Sequence, residues 1–148
     1  LSTMLRVLLC LAAVAAVSHA CSCLEQTPQQ AYCVADWVSR VKIISHVEGE
    51  VINHNFNNIK YSVEHVEVFK KPSSLSSLPS TIYGSSVCRL ATVTDGEEYL
   101  LSGGYHDGRL TMSFCGQVRP FVENVWAPVL EWRQVPADFP ATMRAFTC

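Results

Sequence analysis

Cysteine is the residue type with the most definite chemistry in this sequence, and two cysteines lie one residue apart in the segment "CSCLEQTPQQAYC". Of the seven cysteines, Cys10 lies inside an apolar run near the start. The other six are Cys21, Cys23, Cys33, Cys88, Cys115 and Cys148. In a small secreted domain, an even number of cysteines is typical of a disulfide framework. In a reducing compartment, the same cysteines would more often bind a metal or take part in catalysis. The chemistry of these cysteines therefore depends on the location of the protein.

The first twenty residues indicate that location, because they have the pattern of a secretory signal peptide. Arg6 supplies a positive charge, residues 7–17 ("VLLCLAAVAAV") are apolar, and Ser18 and Ala20 are the small residues expected before a cleavage site. The apolar run is too short to cross about 30 Å of membrane hydrocarbon. We therefore predict a signal peptide at residues 1–20, a mature domain at residues 21–148 and an extracellular location.

Secretion favours three disulfides among the six remaining cysteines. Cys21 and Cys23 are too close in sequence to pair comfortably with each other, so we expect each early cysteine to pair with a distant one. The spacing does not select one connectivity from the many that are possible.

Charge and motifs exclude several classes of function. Without Arg6, ten basic residues face 13 acidic ones, so residues 21–148 have a formal charge of −3 with His neutral. A mildly acidic chain without a basic cluster is not typical of nucleic-acid or anionic-membrane binding. The sequence contains no H-E-x-x-H, G-x-S-x-G or P-loop motif, so we expect no enzymatic activity. We also expect a monomer without a cofactor of its own.

The histidines and tryptophans do not indicate a ligand site. Four histidines lack the short paired spacing of a metal site, so we expect them at the surface or on strands: His46, His54, His65 and His106. Three tryptophans are expected in the core: Trp37, Trp126 and Trp132.

Local patterns predict the first elements. Thr27, Pro28 and Gln30 form a capping box with proline at the first helical position, which predicts a short helix over residues 28–35. Residues 36–47 then alternate between apolar and charged side chains, as do residues 59–69, and both segments are predicted to be strands.

The later segments predict a small β fold. Three short strands are expected in "TIYGSSVCRLATV", "EEYLLSGG" and "RLTMSF". Residues 121–135 have helical spacing in Phe121, Val125 and Leu130, although Pro128 should break or bend the helix. We predict a mainly β protein with an OB-like, closed antiparallel barrel and one or two short flanking helices.

The start C-x-C-x9-C, "TPQQAYC" leading into "DWVSRVKI", and the block "SSVCRL … EEYLLSGGYHDGRLTMSFC" together resemble the tissue inhibitors of metalloproteinases. The resemblance implies a netrin-type barrel with three disulfides: Cys21–Cys88, Cys23–Cys115 and Cys33–Cys148. The sequence departs from the family pattern at Ser22 and Glu25, where threonine and proline are common. Because the sequence ends at Cys148, we expect it to lack the separate C-terminal domain of vertebrate members.

The resemblance also implies a function, namely inhibition of zinc metalloendopeptidases of the matrix metalloproteinase or metzincin type. The backbone amine and carbonyl of Cys21, as the first mature residue, would chelate the catalytic zinc supplied by the target protease. Seven residues are expected to contact the protease: Cys21, Ser22, Cys23, Leu24, Ser85, Ser86 and Val87.

Two other readings of the sequence remain. A netrin-type extracellular module could instead bind matrix or receptor partners without inhibiting a protease, because a fold does not determine a function. The position of the first cysteine distinguishes the two, since a cysteine inside a continuous chain has no free amine. An OB domain that binds nucleic acid is disfavoured by secretion, acidity and disulfides.

Overall fold

The computed structural model describes residues 2–7, 23–50, 58–86 and 93–148. Residues 3–7 are helical. The elements that follow are α1 (Pro28–Val34), β1 (Trp37–Glu48), β2 (Ile59–Lys70), β3 (Thr81–Gly84), β4 (Glu98–His106), β5 (Arg109–Met112), β6 (Leu130–Glu131), a 3-10 helix (Trp132–Gln134) and α2 (Phe139–Arg144).

Five of the strands form a closed barrel in the order β1-β2-β3-β5-β4, and β4 pairs with β1 to complete the ring. The expected OB-like barrel is confirmed. Four neighbouring pairs are antiparallel, and β3 runs parallel to β5. This parallel pair has a geometric cause, because the directions of five strands cannot alternate around a closed ring. The short strand β6 pairs with β4 outside the ring.

The alternation of apolar and charged residues along β1 and β2 matches the burial of their side chains. Trp37, Val41 and Ile43 are fully buried, whereas Arg40 and Lys42 are only partly buried. Burying one face of each strand against the other strands removes a row of apolar side chains from water, which is the main favourable term in folding. Among the described residues, the barrel interior therefore forms the larger of the two apolar clusters.

The second cluster lies where the two helices meet the barrel. Val38 of β1 and Leu100 of β4 pack there with Ala31 of α1 and with Phe139 and Met143 of α2. The helices thus cover apolar side chains that project from the sheet on the side away from the barrel interior.

The helix predicted by the capping box is confirmed. The Thr27 hydroxyl accepts a hydrogen bond from the Gln30 backbone N–H at 3.2 Å, and the Gln30 side-chain oxygen accepts from the Thr27 N–H at 2.9 Å. These bonds satisfy two donors that a helix start would otherwise leave without partners.

The helical spacing of residues 121–135 was wrong as an indication of an α-helix, and the irregular chain found there agrees with the expected interruption at Pro128. Asn124 has a positive φ of 61°, Pro128 follows, and the chain then forms β6 and the 3-10 helix. The expectation that Trp126 is a core residue is also wrong, since its side chain is exposed. Trp37 is buried as expected, and Trp132 is partly buried against Phe69.

Candidate functional site

Two of the three expected disulfides are present. Cys23 is bonded to Cys115 and Cys33 to Cys148, each pair with a Cα–Cα distance of 5.4 Å. The expected Cys21–Cys88 bond lies outside the described residues, as do Ser22, Val87 and His54. The expected contact residues that the structure describes are therefore Cys23, Leu24, Ser85 and Ser86.

The segment 23–27 is exposed and has no regular secondary structure, yet it is fixed at both ends. At one end, the Cys23–Cys115 disulfide joins it to the chain three residues after β5. At the other end, the capping box of Thr27 joins it to α1. Leu24 therefore projects into solvent from a backbone that is anchored on both sides.

The parallel pairing of β3 with β5 puts the other expected contact segment at the same end of the barrel. Gly84, the last residue of β3, pairs with Met112, the last residue of β5. Because the two strands run in the same direction, the residues that follow them leave the barrel at one edge. Ser85 and Ser86 follow the first strand, and the cysteine bonded to Cys23 follows the second.

Asn58 holds this end of the barrel together. Its side-chain oxygen accepts a hydrogen bond from the Ser86 backbone N–H at 3.2 Å, and its side-chain nitrogen donates to the Gly49 carbonyl at 2.8 Å. Since Asn58 immediately precedes β2, it links the chain after β3 to the chain after β1.

A cavity of about 480 Å³ adjoins the exposed segment. It is lined by residues 23–26, 114–117, 119 and 126–128. Residues 126–128 were not expected at the site, because Trp126 was expected in the core. The position of Trp126 between Pro120 and Pro128 was the signal that could have placed it at the surface.

His65 occupies a polar position on β2. Its Nδ1 lies 2.9 Å from the Ser39 hydroxyl, and its Nε2 lies 2.9 Å from the Pro79 carbonyl oxygen. Burial lowers the pKa of His65 below its ordinary value of 6.5, an effect that the bond to the Pro79 carbonyl partly opposes. On β1, His46 lies 2.8 Å from an Asp95 carboxylate oxygen.

Within residues 2–7, 23–50, 58–86 and 93–148, no three or more His, Cys, Asp or Glu side chains are grouped so that they could hold a metal ion. In the same residues, no helix has both the length and the apolar character needed to cross a membrane.

Residues 19–127 match the family model described as tissue inhibitor of metalloproteinase. The chain belongs to this family. It is 36% identical over 152 residues to the Caenorhabditis elegans protein tag-225, covering 95% of this chain and 96% of that protein. It is 33% identical over 120 residues to metalloproteinase inhibitor 2 of Homo sapiens and 35% identical over 107 residues to that of Gallus gallus.

The two vertebrate alignments cover 77% and 68% of this chain, but only 54% and 49% of the respective inhibitors. The chain thus spans about half the length of these two vertebrate inhibitors. The residues after the family match still belong to the fold, because β6 pairs with β4 and Cys148 is bonded to Cys33.

Proposed function

We propose that this protein is a secreted inhibitor of zinc metalloproteases of the matrix metalloproteinase or metzincin type. In this proposal, the signal peptide is removed, and the α-amine and carbonyl oxygen of Cys21 chelate the catalytic zinc of the target. The observation that carries the proposal is the anchored segment 23–27 in a member of this family, with relatives named as metalloproteinase inhibitors.

The chemistry of the target explains why a terminal amine suits this task. A catalytic zinc site keeps one position open for water or substrate. An amine and a carbonyl oxygen from one residue displace that water through a five-membered chelate ring. Because the α-amine ordinarily has a pKa of about 8, the loss of its proton on binding the metal costs little near neutral pH. In this proposal, the Cys21 sulfur forms the expected disulfide with Cys88 and is not a ligand.

The anchored backbone explains how such a chelate could bind tightly. A flexible terminus would lose conformational freedom on entering a cleft, and this loss opposes binding. The disulfide of Cys23 fixes the chain two residues after the proposed ligand, so less freedom remains to be lost. In this proposal, the barrel presents the first mature residue as a preorganised ligand.

The proposed contacts follow the order of the chain. Ser22 enters the pocket next to the zinc on the primed side, and Leu24 continues along that side. Ser85, Ser86 and Val87 contact the unprimed side. This arrangement is supported by the parallel pairing that brings the chain after Gly84 to the same barrel edge as the Cys23 anchor.

The test compares two forms of the protein on a panel of zinc metalloproteases. One form begins at Cys21, and the other carries a single additional alanine before it. We expect the first form to inhibit and the second to inhibit far more weakly, because the alanine removes the free amine from Cys21. Equal inhibition by both would contradict the chelation mechanism. If neither inhibits while both are folded with three disulfides, the protein is instead a netrin-type module that binds a matrix or receptor partner.

A further inference from the structure

Leu24 and Trp126 are the most exposed of the large hydrophobic side chains in the described residues, each with 92% of its surface in water. They are about a hundred residues apart in sequence, yet both line the 480 Å³ cavity beside the anchored segment. Large apolar side chains that remain in water around one cavity are typical of an interaction surface. Their shared location therefore connects Trp126 to the proposed protease-binding segment.

The exposure of Trp126 is not the fraying of a loose loop. The Arg119 guanidinium donates a hydrogen bond to the Val125 carbonyl, and the Val125 N–H bonds the Val122 carbonyl at 3.3 Å. On either side of the segment, Val118 and Val129 are buried. The backbone that carries the indole is thus fixed before binding, which lowers the entropic cost of using it as a contact.

We propose that Trp126 is a second contact for the target metalloprotease, outside the segment that enters the catalytic cleft. The inference rests on the proposed function. When residues 21–24 occupy the catalytic cleft, the edge of the cleft next to Leu24 faces the cavity of the inhibitor. An apolar side chain of the protease at this edge then packs between residues 23–26 and the indole. Tryptophan is among the residues that most often dominate the binding energy of an interface, because its large rigid ring loses little entropy on contact.

The experiment compares Trp126→Ala with Phe121→Ala as a matched control. Phe121 is 83% exposed and lies in the same irregular segment, but it does not line the cavity. Both variants should unfold at the same urea concentration as the unsubstituted protein, because neither side chain is buried. We expect Trp126→Ala to raise the inhibition constant at least about tenfold, as for an interface hot spot, and Phe121→Ala to change it less than about twofold.

A spectroscopic measurement reports on the contact itself. With 5-fluorotryptophan incorporated, the ¹⁹F resonance that is missing in Trp126→Ala identifies Trp126. We expect this resonance to shift when protease is added, while the resonance of the buried Trp37 stays in place. An unchanged Trp126 resonance in an inhibited complex, or equal inhibition constants for both variants, would overturn the role of Trp126 and leave the proposed function standing. If the unsubstituted protein inhibits no protease on the panel, the proposed function fails first, and the inference fails with it.

Discussion

The imidazole of His65 and the hydroxyl of Ser39 lie 2.9 Å apart, across the neighbouring strands β2 and β1. The Pro79 carbonyl can only accept, so Nε2 carries a proton and a neutral ring leaves Nδ1 as an acceptor. The single Ser39 hydroxyl proton then has three possible acceptors, namely Nδ1, the Glu67 carbonyl at 2.9 Å and the Arg40 carbonyl at 3.2 Å. A protonated ring would donate to both Ser39 and Pro79 and leave the hydroxyl proton for a carbonyl, but burial disfavours its charge.

This arrangement predicts that the fold loses stability in mild acid. Because burial lowers the pKa of His65 in the folded state, the unfolded chain binds a proton here below about pH 6.5 that the folded chain does not. The free energy of unfolding therefore falls as the pH drops below 6.5, by at most about 1.4 kcal/mol per pH unit for one group. The fall due to His65 ends once the pH passes its lower, folded-state pKa.

Urea unfolding between pH 7.5 and pH 5 measures this effect. We expect the dependence of the free energy of unfolding on pH to be weaker in His65→Gln, whose amide can still bond Ser39 and Pro79. His106→Gln should keep the slope, because His106 is exposed at the end of β4. Glu64, Lys70 and Lys71 line the cavity that contains His65, so both variants are compared at one ionic strength. Identical slopes in all three proteins would rule out His65 as the cause.

Gly103 is predicted to be the glycine least tolerant of substitution. A Cβ atom added there would lie 1.8 Å from the Thr111 carbonyl oxygen, at the point where β4 approaches β5. We expect Gly103→Ala to cost more than about 4 kcal/mol or to prevent folding, because backbone atoms must move. Gly108→Ala is the control. Its φ of 77° disfavours alanine by about 1–2 kcal/mol, but a Cβ atom added there would have no atom within 4 Å. Similar urea midpoints for the two variants would contradict the close approach of β4 to β5 at Gly103.

Helix α1 is predicted to depend on its cap. Thr27→Ala removes the hydroxyl that accepts from Gln30, and we expect it to lower the free energy of unfolding by about 1 kcal/mol. Thr27→Ser keeps an equivalent hydroxyl and should change the free energy of unfolding by only about a few tenths of a kcal/mol. Chemical denaturation of the three proteins distinguishes these values. An alanine variant as stable as the serine variant would show that the cap contributes little.

The sequence predicted the elements whose signal is local. β1 and β2 alternate over many residues because one face of each is buried, and the capping box at Thr27 marks a helix start by residue type alone. The two-residue strand β6 is too short to show alternation. Helix α2 was missed, although Pro140 near its start is a usual marker.

The failure at Trp126 has a different cause. Large aromatic residues normally pack in a core, and the sequence alone cannot distinguish them from aromatic residues that stay exposed at the surface. The same limit applies to the site as a whole. That Cys23 and Ser86 lie at one barrel edge depends on the long-range pairing of β3 with β5, which no local pattern encodes.

The two disulfides among the described residues close loops of similar length but lie at different places in the fold. The sequence separations are 92 residues for Cys23–Cys115 and 115 residues for Cys33–Cys148. In the chain-entropy model, loops of this size stabilise the fold by similar amounts, about 4–5 kcal/mol each. We therefore expect the paired variants Cys23→Ala/Cys115→Ala and Cys33→Ala/Cys148→Ala to lose comparable stability in urea.

Their effects on inhibition should differ, because only Cys23–Cys115 anchors the segment next to the proposed zinc ligand. After correction for the folded fraction, measured by near-UV circular dichroism, we expect the first variant to have an inhibition constant raised at least about tenfold, since a freed segment must be ordered on binding. The second variant should stay within a few-fold of the unsubstituted protein, because Cys33 and Cys148 join α1 to the segment after α2. Equal losses of inhibition would show that the Cys23 disulfide supports the fold without presenting the terminus.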